Sequence, residues 1–451
     1  MVVVGLARQG KALTRYLVGQ GAHVVLTDMK PKEALEDALD ELQGVTVELR
    51  LGGHPPELLE DVDTLFLSGG VPADHALAHT AHSQGIKVSN DSQLFLELCP
   101  AATIGITGSA GKTTTTALVG SMAQVHVEGT RRRVWVGGNI GRPLLSDLEQ
   151  IEKEDIAILE LSSFQLELMT LSPQVAAVLN ITPNHLDRHH TLELYAAAKA
   201  RILDFQKADD VAVLNREDPG TWLLRQRVAG ELMTFGLAEP QDGDAAYVSR
   251  EAIWLRSAGH VQPVGPLSEV SLRGGHNLLN VLAACAIAAC VGITPQAMRE
   301  AIRDFRGLAH RLEFVRRVRD VDWYNDSIAT APERAIAAMR AFKEPLVLLA
   351  GGRDKELPWE AFAEMACRRV RHLILFGEAA DKIAAAIRNV PGWDASLSLE
   401  RCASLDEAVL AAARAAKPGD VVLLAPGGTS FDQFTDFEDR GDRFRQLVME
   451  L

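Results

Sequence analysis

The stretch Gly105-Ile106-Thr107-Gly108-Ser109-Ala110-Gly111-Lys112-Thr113-Thr114 organises the whole chain. The apolar run Thr103–Thr107 reads as a buried strand, small residues follow it, and Lys-Thr-Thr opens a helix. Glycines let a backbone curl until several N–H groups point inward, and the helix N-terminus adds positive potential. Such a loop cradles a triphosphate. Gly108, Ser109, Ala110, Gly111 and Thr114 line it, Lys112 offers a mobile cation to the β- and γ-phosphates, and the Thr113 hydroxyl can ligate Mg²⁺. One position departs from G-x-x-x-x-G-K-[ST]: residue 106 is Ile where the first glycine belongs. The plainer reading is a tight strand-to-helix turn with an incidental lysine.

Working downstream, Ile156–Leu161 is a strand with Glu160 at its end. Ligands of parallel sheets gather beyond the carboxyl ends of the strands, so Glu160 is expected to face the phosphate loop and hold Mg²⁺. The alternative is an acid capping a helix. Val175–Asn180 runs into Asn180-Ile181-Thr182-Pro183-Asn184-His185-Leu186-Asp187-Arg188-His189, a polar cluster at a further strand end. Thr191–Asp204 reads by itself as an ordinary helix with Lys199 on a solvated face. Gly274-Gly275-His276-Asn277 opens an Ala-rich helix reaching Cys290, where Asn277 and Asn280 can donate to a base or phosphate. A helix cap by Asn277 is the simpler account.

Upstream, Val2–Val4, His23–Thr27 and Thr64–Leu67 read as strands, with Gly10–Gly19 and Pro31–Leu42 as helices between them. Gly5-Leu6-Ala7-Arg8-Gln9-Gly10 after the first strand, with Asp28 ending the second, imitates a dinucleotide fingerprint. Ala7 replaces the glycine that lets a backbone approach a pyrophosphate, and no redox site follows. Towards the C-terminus, Leu346–Leu349, His372–Phe376 and Val421–Leu424 read as strands, and Trp359–Arg369 and Leu405–Ala416 as helices.

The chain has 451 residues. At about 150 residues per domain that suggests three. Three α/β units in series are expected. They are a Rossmann-like parallel sheet over 1–90, a P-loop ATPase-type domain over 91–307 and a second Rossmann-like domain over 308–451. The formal charge of −14 argues against a nucleic-acid partner. The five cysteines show no CxxC pair, which fits buried free thiols in a reducing compartment. No signal peptide and no membrane-spanning run is visible, so a soluble cytoplasmic protein is expected.

The shortened loop T-G-x-x-G-K-T resembles that of the Mur ligases and of the related folylpolyglutamate synthases. Further segments resemble Mur ligase motifs: Asn180 to Asp187 their N-x-x-x-D-H-x-D, Gly274 to Asn280 their G-x-H-N-x-x-N, and His310-Arg311-Leu312-Glu313 their H-R-x-E. Asp326-Ser327-Ile328-Ala329-Thr330 is similar to D-S-K-A-T, with Ile at 328 for Lys. Gly351 to Lys355 resembles G-G-x-D-K. The tail from Ser430 through Phe437 to Arg440-Gly441 looks like that of the D-glutamate-adding members.

The resemblance implies an ATP-dependent amide-bond ligase acting through an acyl phosphate. Its substrates would be UDP-N-acetylmuramoyl-L-alanine, D-glutamate and ATP, with two Mg²⁺ sites and a monomeric enzyme. It implies a carbamylated Lys199 and His185 as metal-site residues beside Thr113 and Glu160, with Lys112 and Arg311 stabilising phosphate charge. Asn277, Asn280, Arg311 and Asp326 would contact ATP. Gly5, Leu6, Ala7, Asp28, Lys30, Ser68, Gly70, Asn139, Gln165 and His185 would hold the UDP substrate. Thr330, Lys355, Ser430 and Phe437 would hold D-glutamate, Lys355 also acting in catalysis.

Overall fold

The structure, a computed structural model, describes residues 1–183, 186–393 and 397–451. Its described residues form three sheets. The first is wholly parallel, in the order Glu48–Leu51, Val25–Asp28, Val2–Val4, Thr64–Leu67, Lys87–Ser89. Successive side chains of a strand point to opposite faces, and both faces of this sheet are covered. Val2 and Val4 pack with Leu65, Leu67 and Leu77, while Val3 packs on the other side with Leu13, Leu17 and Leu26. The cluster containing Val3 continues without a break through Leu144, Leu145 and Leu148 to Leu159 and Val178 of the central sheet. The first two sheets accordingly belong to one compact unit, Met1–Val270 with His276–Asp304. The second unit comprises Ser271–Gly275 and Phe305–Leu451.

The central sheet has the order His260–Pro266, Ala252–Ser257, Asp244–Ser249, Glu231–Phe235, Val211–Asn215, Val175–Val178, Ala102–Thr107, Ile156–Glu160, Val134–Gly138. Its parallel part places Ala102–Thr107 between two neighbours, with Ile106 opposite Glu160 and Thr107 opposite Val178. Parallel neighbours end at the same edge, so the phosphate loop, Glu160 and the segment after Val178 emerge side by side. The sheet of the second unit runs Glu313–Val318, Val321–Asn325, Val421–Gly427, Leu346–Gly351, Val370–Phe376, Ser398–Arg401, antiparallel only at its first pair.

Several expectations need correction. Pro31–Leu42 is not one helix but a 3₁₀ turn, Lys32–Ala34, and a short helix, Glu36–Asp40, because only Leu35 and Leu42 of the segment are buried. The hairpins that finish the central sheet were not legible. Their turns use Arg250, Glu251, Ala258 and Gly259 at positive φ, which only the glycine signals in sequence. Of the five free cysteines only Cys285 is buried, where desolvation pushes its thiol up to about 12.

Candidate functional site

The phosphate loop folds as a crossover from Ala102–Thr107 into the helix Lys112–Val127. Gly111, at φ 83°, is the residue before the helix, and a side chain there would meet the Asn280 amide oxygen at 2.2 Å. The loop is stapled from the strand beside it. The Asn180 side chain accepts from Ala110 N at 2.8 Å and donates to Ala110 O at 3.0 Å. Ser109 Oγ donates to Thr182 O and accepts from Thr182 N, both at 2.9 Å. Sequence reasoning gave Asn180 no role, although an amide closing a strand beside such a loop is the signal that would have found it.

Lys112 Nζ donates to Gly108 O at 2.8 Å. Lys199 Nζ donates to the same oxygen at 3.0 Å and to Thr107 Oγ1 at 3.4 Å. Lys199 is 1% exposed, so the solvated-face reading of its helix, Leu192–Asp204, is wrong: this lysine lies on the inner face. Burial, and secondarily the Lys112 cation, lower its ammonium to about 7, against a smaller pull from the Glu160 carboxylate. Tyr195, four residues earlier, puts its ring face 4.6 Å from the ammonium.

Glu160 is 2% exposed; its Oε1 accepts from Asn139 Nδ2 at 3.0 Å, and Oε2 has no hydrogen-bond partner. It caps no helix, because Ser162 takes that position in a capping box with Gln165. An orphaned buried carboxylate oxygen with the Lys112–Val127 helix head and its Thr113 hydroxyl at the same sheet edge fits a hard divalent cation. His185 and Asn184 lie outside the described residues. Asn277 is no helix cap either, being the third residue of Gly275–Cys290 and accepting from Asn280 Nδ2 at 3.1 Å. Asn280, Ala110, Gly111, Phe235, His276 and Leu279 line a cavity of about 180 Å³ beside the loop, with dimensions and apolar walls suited to a nucleobase.

In the first sheet, Leu6, Ala7, Asp28 and Lys30 border a cavity of about 390 Å³. Asp28 shapes it by accepting from Leu6 N at 2.8 Å and Lys30 N at 3.0 Å, so the Leu6 amide is already committed. Gly5 abuts Ser68 across adjacent strands: a side chain there would meet Ser68 Oγ at 2.2 Å. Gly70 and Asn139 are exposed. Gln165 is placed differently from the other candidates. It is 1% exposed, its oxygen accepts from Ser162 N and Oγ, and its amide donates to Ser92 Oγ at 2.8 Å. That network ties the helix Asp91–Leu98, which follows the first sheet, to the turn after Ile156–Glu160.

The second unit assembles its candidates on loops beyond Val321–Asn325, Leu346–Gly351 and Val421–Gly427. Asp326 is buried and pushed up to about 6 by desolvation; it accepts from Leu312 N at 3.0 Å, beside Arg311. Ser430 is buried, Thr330 and Phe437 are half-buried, and Lys355 is exposed. Two residues that carry this framework stand in the motif segments but were given no role by the sequence reading. Asn325 Nδ2 reaches His310 Nδ1, Glu313 Oε2 and Gly441 O, each at 3.1 Å. Arg440 is fully buried and donates to Ser327 Oγ at 2.9 Å, Ser327 O at 2.8 Å and Gly428 O at 3.2 Å. His310 and Glu313 therefore hold the turn that presents Arg311, and Phe437 packs edge-on against His310.

Residues 1–90, 106–288 and 310–428 match, in that order, the Mur ligase MurD-like N-terminal domain, the Mur ligase middle domain and the Mur ligase glutamate ligase domain. The UDP-N-acetylmuramoylalanine--D-glutamate ligase of Symbiobacterium thermophilum is 42% identical over 450 residues, covering 100% of this chain and 97% of that protein. Its namesake from Pelotomaculum thermopropionicum is 39% identical over 452 residues, covering 100% and 97%. The solved UDP-N-acetylmuramate-alanine ligase of Thermotoga maritima shares the fold with a TM-score of 0.57 at 18% identity, over 100% of this chain and 99% of that one. Matched in all three segments and along its whole length, this chain belongs to the Mur ligase family.

Proposed function

We propose that this protein joins D-glutamate to UDP-N-acetylmuramoyl-L-alanine with hydrolysis of ATP to ADP and phosphate, in the cytoplasmic synthesis of peptidoglycan precursors, as a monomer. The observation that carries the reading is the full-length likeness to D-glutamate ligases in a chain whose Lys112, Lys199 and Glu160 converge on one phosphate loop.

A free carboxylate is a poor acyl donor. Transfer of the γ-phosphoryl group to the L-alanyl carboxylate supplies a leaving group, and the D-glutamate amine then displaces phosphate from the acyl carbon. Lys112 neutralises charge on the phosphates, and the inward N–H groups of the loop orient them. Thr113 and Glu160 would hold Mg²⁺, which supplies positive charge to the phosphate oxygens when bound. By resemblance His185 and Lys199 serve a second Mg²⁺. The lowered ammonium of Lys199 suits this role: an unprotonated amine can add CO₂, lose a proton and become a carbamate anion. Such an anion replaces a repulsive cation with a hard oxygen ligand.

The first cavity, with Leu6, Ala7, Asp28 and Lys30, takes the uridine nucleotide, and Gly5, Ser68, Gly70 and Asn139 flank its diphosphate and sugar. Asn277 and Asn280 serve the ATP base and phosphates. In the second unit Arg311 and Asp326 serve ATP, and Thr330, Lys355, Ser430 and Phe437 serve D-glutamate. The test is ADP release with UDP-N-acetylmuramoyl-L-alanine, Mg²⁺-ATP and a panel of D-glutamate, L-glutamate, L-lysine, diaminopimelate or no amino acid. Turnover confined to D-glutamate is expected. Turnover with another amino acid moves the specificity, and silence throughout rejects the ligase.

A further inference from the structure

We propose that Trp359 is a positioning residue of the amino-acid site: its indole N–H, through Asp354, fixes the turn that presents Lys355. The inference rests on the D-glutamate reading of the second unit. Lys355 lies on the loop after the strand Leu346–Gly351 and is exposed. A long, solvated side chain on a loop must be ordered when it grips a carboxylate, and that ordering weakens binding. Here the turn is ordered beforehand. The Asp354 carboxylate accepts from Trp359 Nε1 through Oδ1 at 3.2 Å and from Lys382 Nζ through Oδ2 at 2.5 Å. It also accepts from the backbone N–H of Glu356, a residue at φ 59°. Asp354 and Glu356 flank Lys355, so one carboxylate closes the turn on which the lysine sits.

Trp359 joins that turn to the other loops of the site. It is 2% exposed, directly precedes the helix Glu360–Arg369, and meets Phe362 edge-on with ring centroids 5.2 Å apart. Its ring also presses on Gly427: a side chain there would lie 2.8 Å from Cζ3 and Cη2 of the indole. Gly427, at φ 71°, ends the strand Val421–Gly427 and starts the loop to Ser430. Its N–H donates to Ala329 O at 2.8 Å, one residue before Thr330. Arg353 and Thr429 exchange backbone N–H to O bonds of 2.8 and 3.0 Å, which lay the Lys355 loop beside the Ser430 loop. One side chain therefore touches the Ser430 loop with its ring and holds the Lys355 turn with its N–H. Tryptophan suits the place because a donor sits on the rim of a large apolar ring.

The charges around the turn fit the same role. Among the described residues Arg353 pairs with Glu378 at 3.2 Å and Lys382 with Asp354, which leaves Lys355 as the cation of this cluster with no ion pair. Asp354 thus takes up the neighbouring ammonium of Lys382 and keeps its own charge off Lys355. A tryptophan that only filled the core would affect stability and every substrate alike, whereas a positioning tryptophan acts on the amino acid through Lys355.

Steady-state kinetics of the full-length protein separate the two roles. Trp359→Phe keeps an aromatic ring and removes the donor. Its KM for D-glutamate is expected to rise about tenfold, the effect of losing a hydrogen bond to a charged group, while kcat and the KM values for ATP and the uridine nucleotide hold. Lys382→Met, at an exposed position, should do the same, and Lys382→Arg should restore most of the affinity. In a Lys355→Ala background Trp359→Phe should make no further difference, because it acts through that lysine. Ile387→Ala, in the same core as Trp359, is the control: its melting temperature should fall with the KM for D-glutamate unmoved. An unchanged KM for D-glutamate in both Trp359→Phe and Lys382→Met, an equal rise for ATP, or an effect that persists without Lys355 overturns the assignment. Wild-type turnover indifferent to D-glutamate overturns the reading of the site itself, and the role of Trp359 with it.

Discussion

Lys112 and Lys199 donate to one carbonyl oxygen, that of Gly108, at 2.8 and 3.0 Å. Two ammonium groups on one acceptor repel each other, and one of them is almost wholly out of water. Burial, with the Lys112 charge beside it, lowers the Lys199 ammonium to about 7. The same convergence prepares the loop for a polyanion, whose arrival relieves the repulsion.

Lys112→Ala should raise the barrier to phosphoryl transfer by about 3 kcal/mol, the scale for losing one preorganised charge-stabilising group. Single-turnover ADP formation measures it. Near-wild-type rates would remove Lys112 from the phosphate site.

Turnover should fall on the acid side with a midpoint near the Lys199 value of about 7, because only the neutral amine can be carbamylated. The stability sign is the same. The unfolded lysine binds a proton up to about 10.5, so the cost of burying it is full below pH 7 and is relieved as pH rises. Lys199→Met should therefore raise the melting temperature more at pH 6 than at pH 9, while turnover is lost. A carbamate signal in ¹³C NMR with labelled bicarbonate at pH 8, fading at pH 6, is the direct check; its absence at both pH values would discard the carbamate.

Gly111→Ala meets two obstacles, a left-handed backbone at φ 83° and the Asn280 oxygen 2.2 Å from the new methyl. The backbone strain alone is about 1–2 kcal/mol. ATP affinity should drop about tenfold or more, and adding Asn280→Ala should recover only the part owed to the clash. Full recovery in the double variant would mean that the positive φ is not required.

Arg440→Ala removes three hydrogen bonds and takes the Arg440 donors from Ser327 Oγ, Ser327 O and Gly428 O in a buried place. A loss of about 3 kcal/mol is expected. Hydrogen exchange should rise in the segments around Ser327 and Gly428. Arg440→Lys should not restore protection, because an ammonium cannot span both loops.

The phosphate loop was legible because its chemistry is local: strand, glycine, lysine and helix follow one another within ten residues. Glu160 was legible for a related reason, since a carboxylate ending an apolar strand of a parallel sheet is bound to reach the ligand edge. Ser162 and Gln165 announce their own turn through capping-box spacing, but nothing local says that Gln165 also spans to Ser92.

Sequence alone determined the order of the three α/β segments, the phosphate loop and the edge of each sheet at which chemistry collects, because hydrophobic periodicity and turn residues act over a few neighbours. Tertiary structure decided which polar groups are spent on the fold and which remain for ligands. Lys199 is buried because its helix packs that face against the loop, and Asn180 staples Ala110 across 70 residues of chain. Arg440 joins Ser327 to Gly428 across still longer stretches. These roles depend on desolvation and on contacts between remote segments, and neither is a property of a short run of residues.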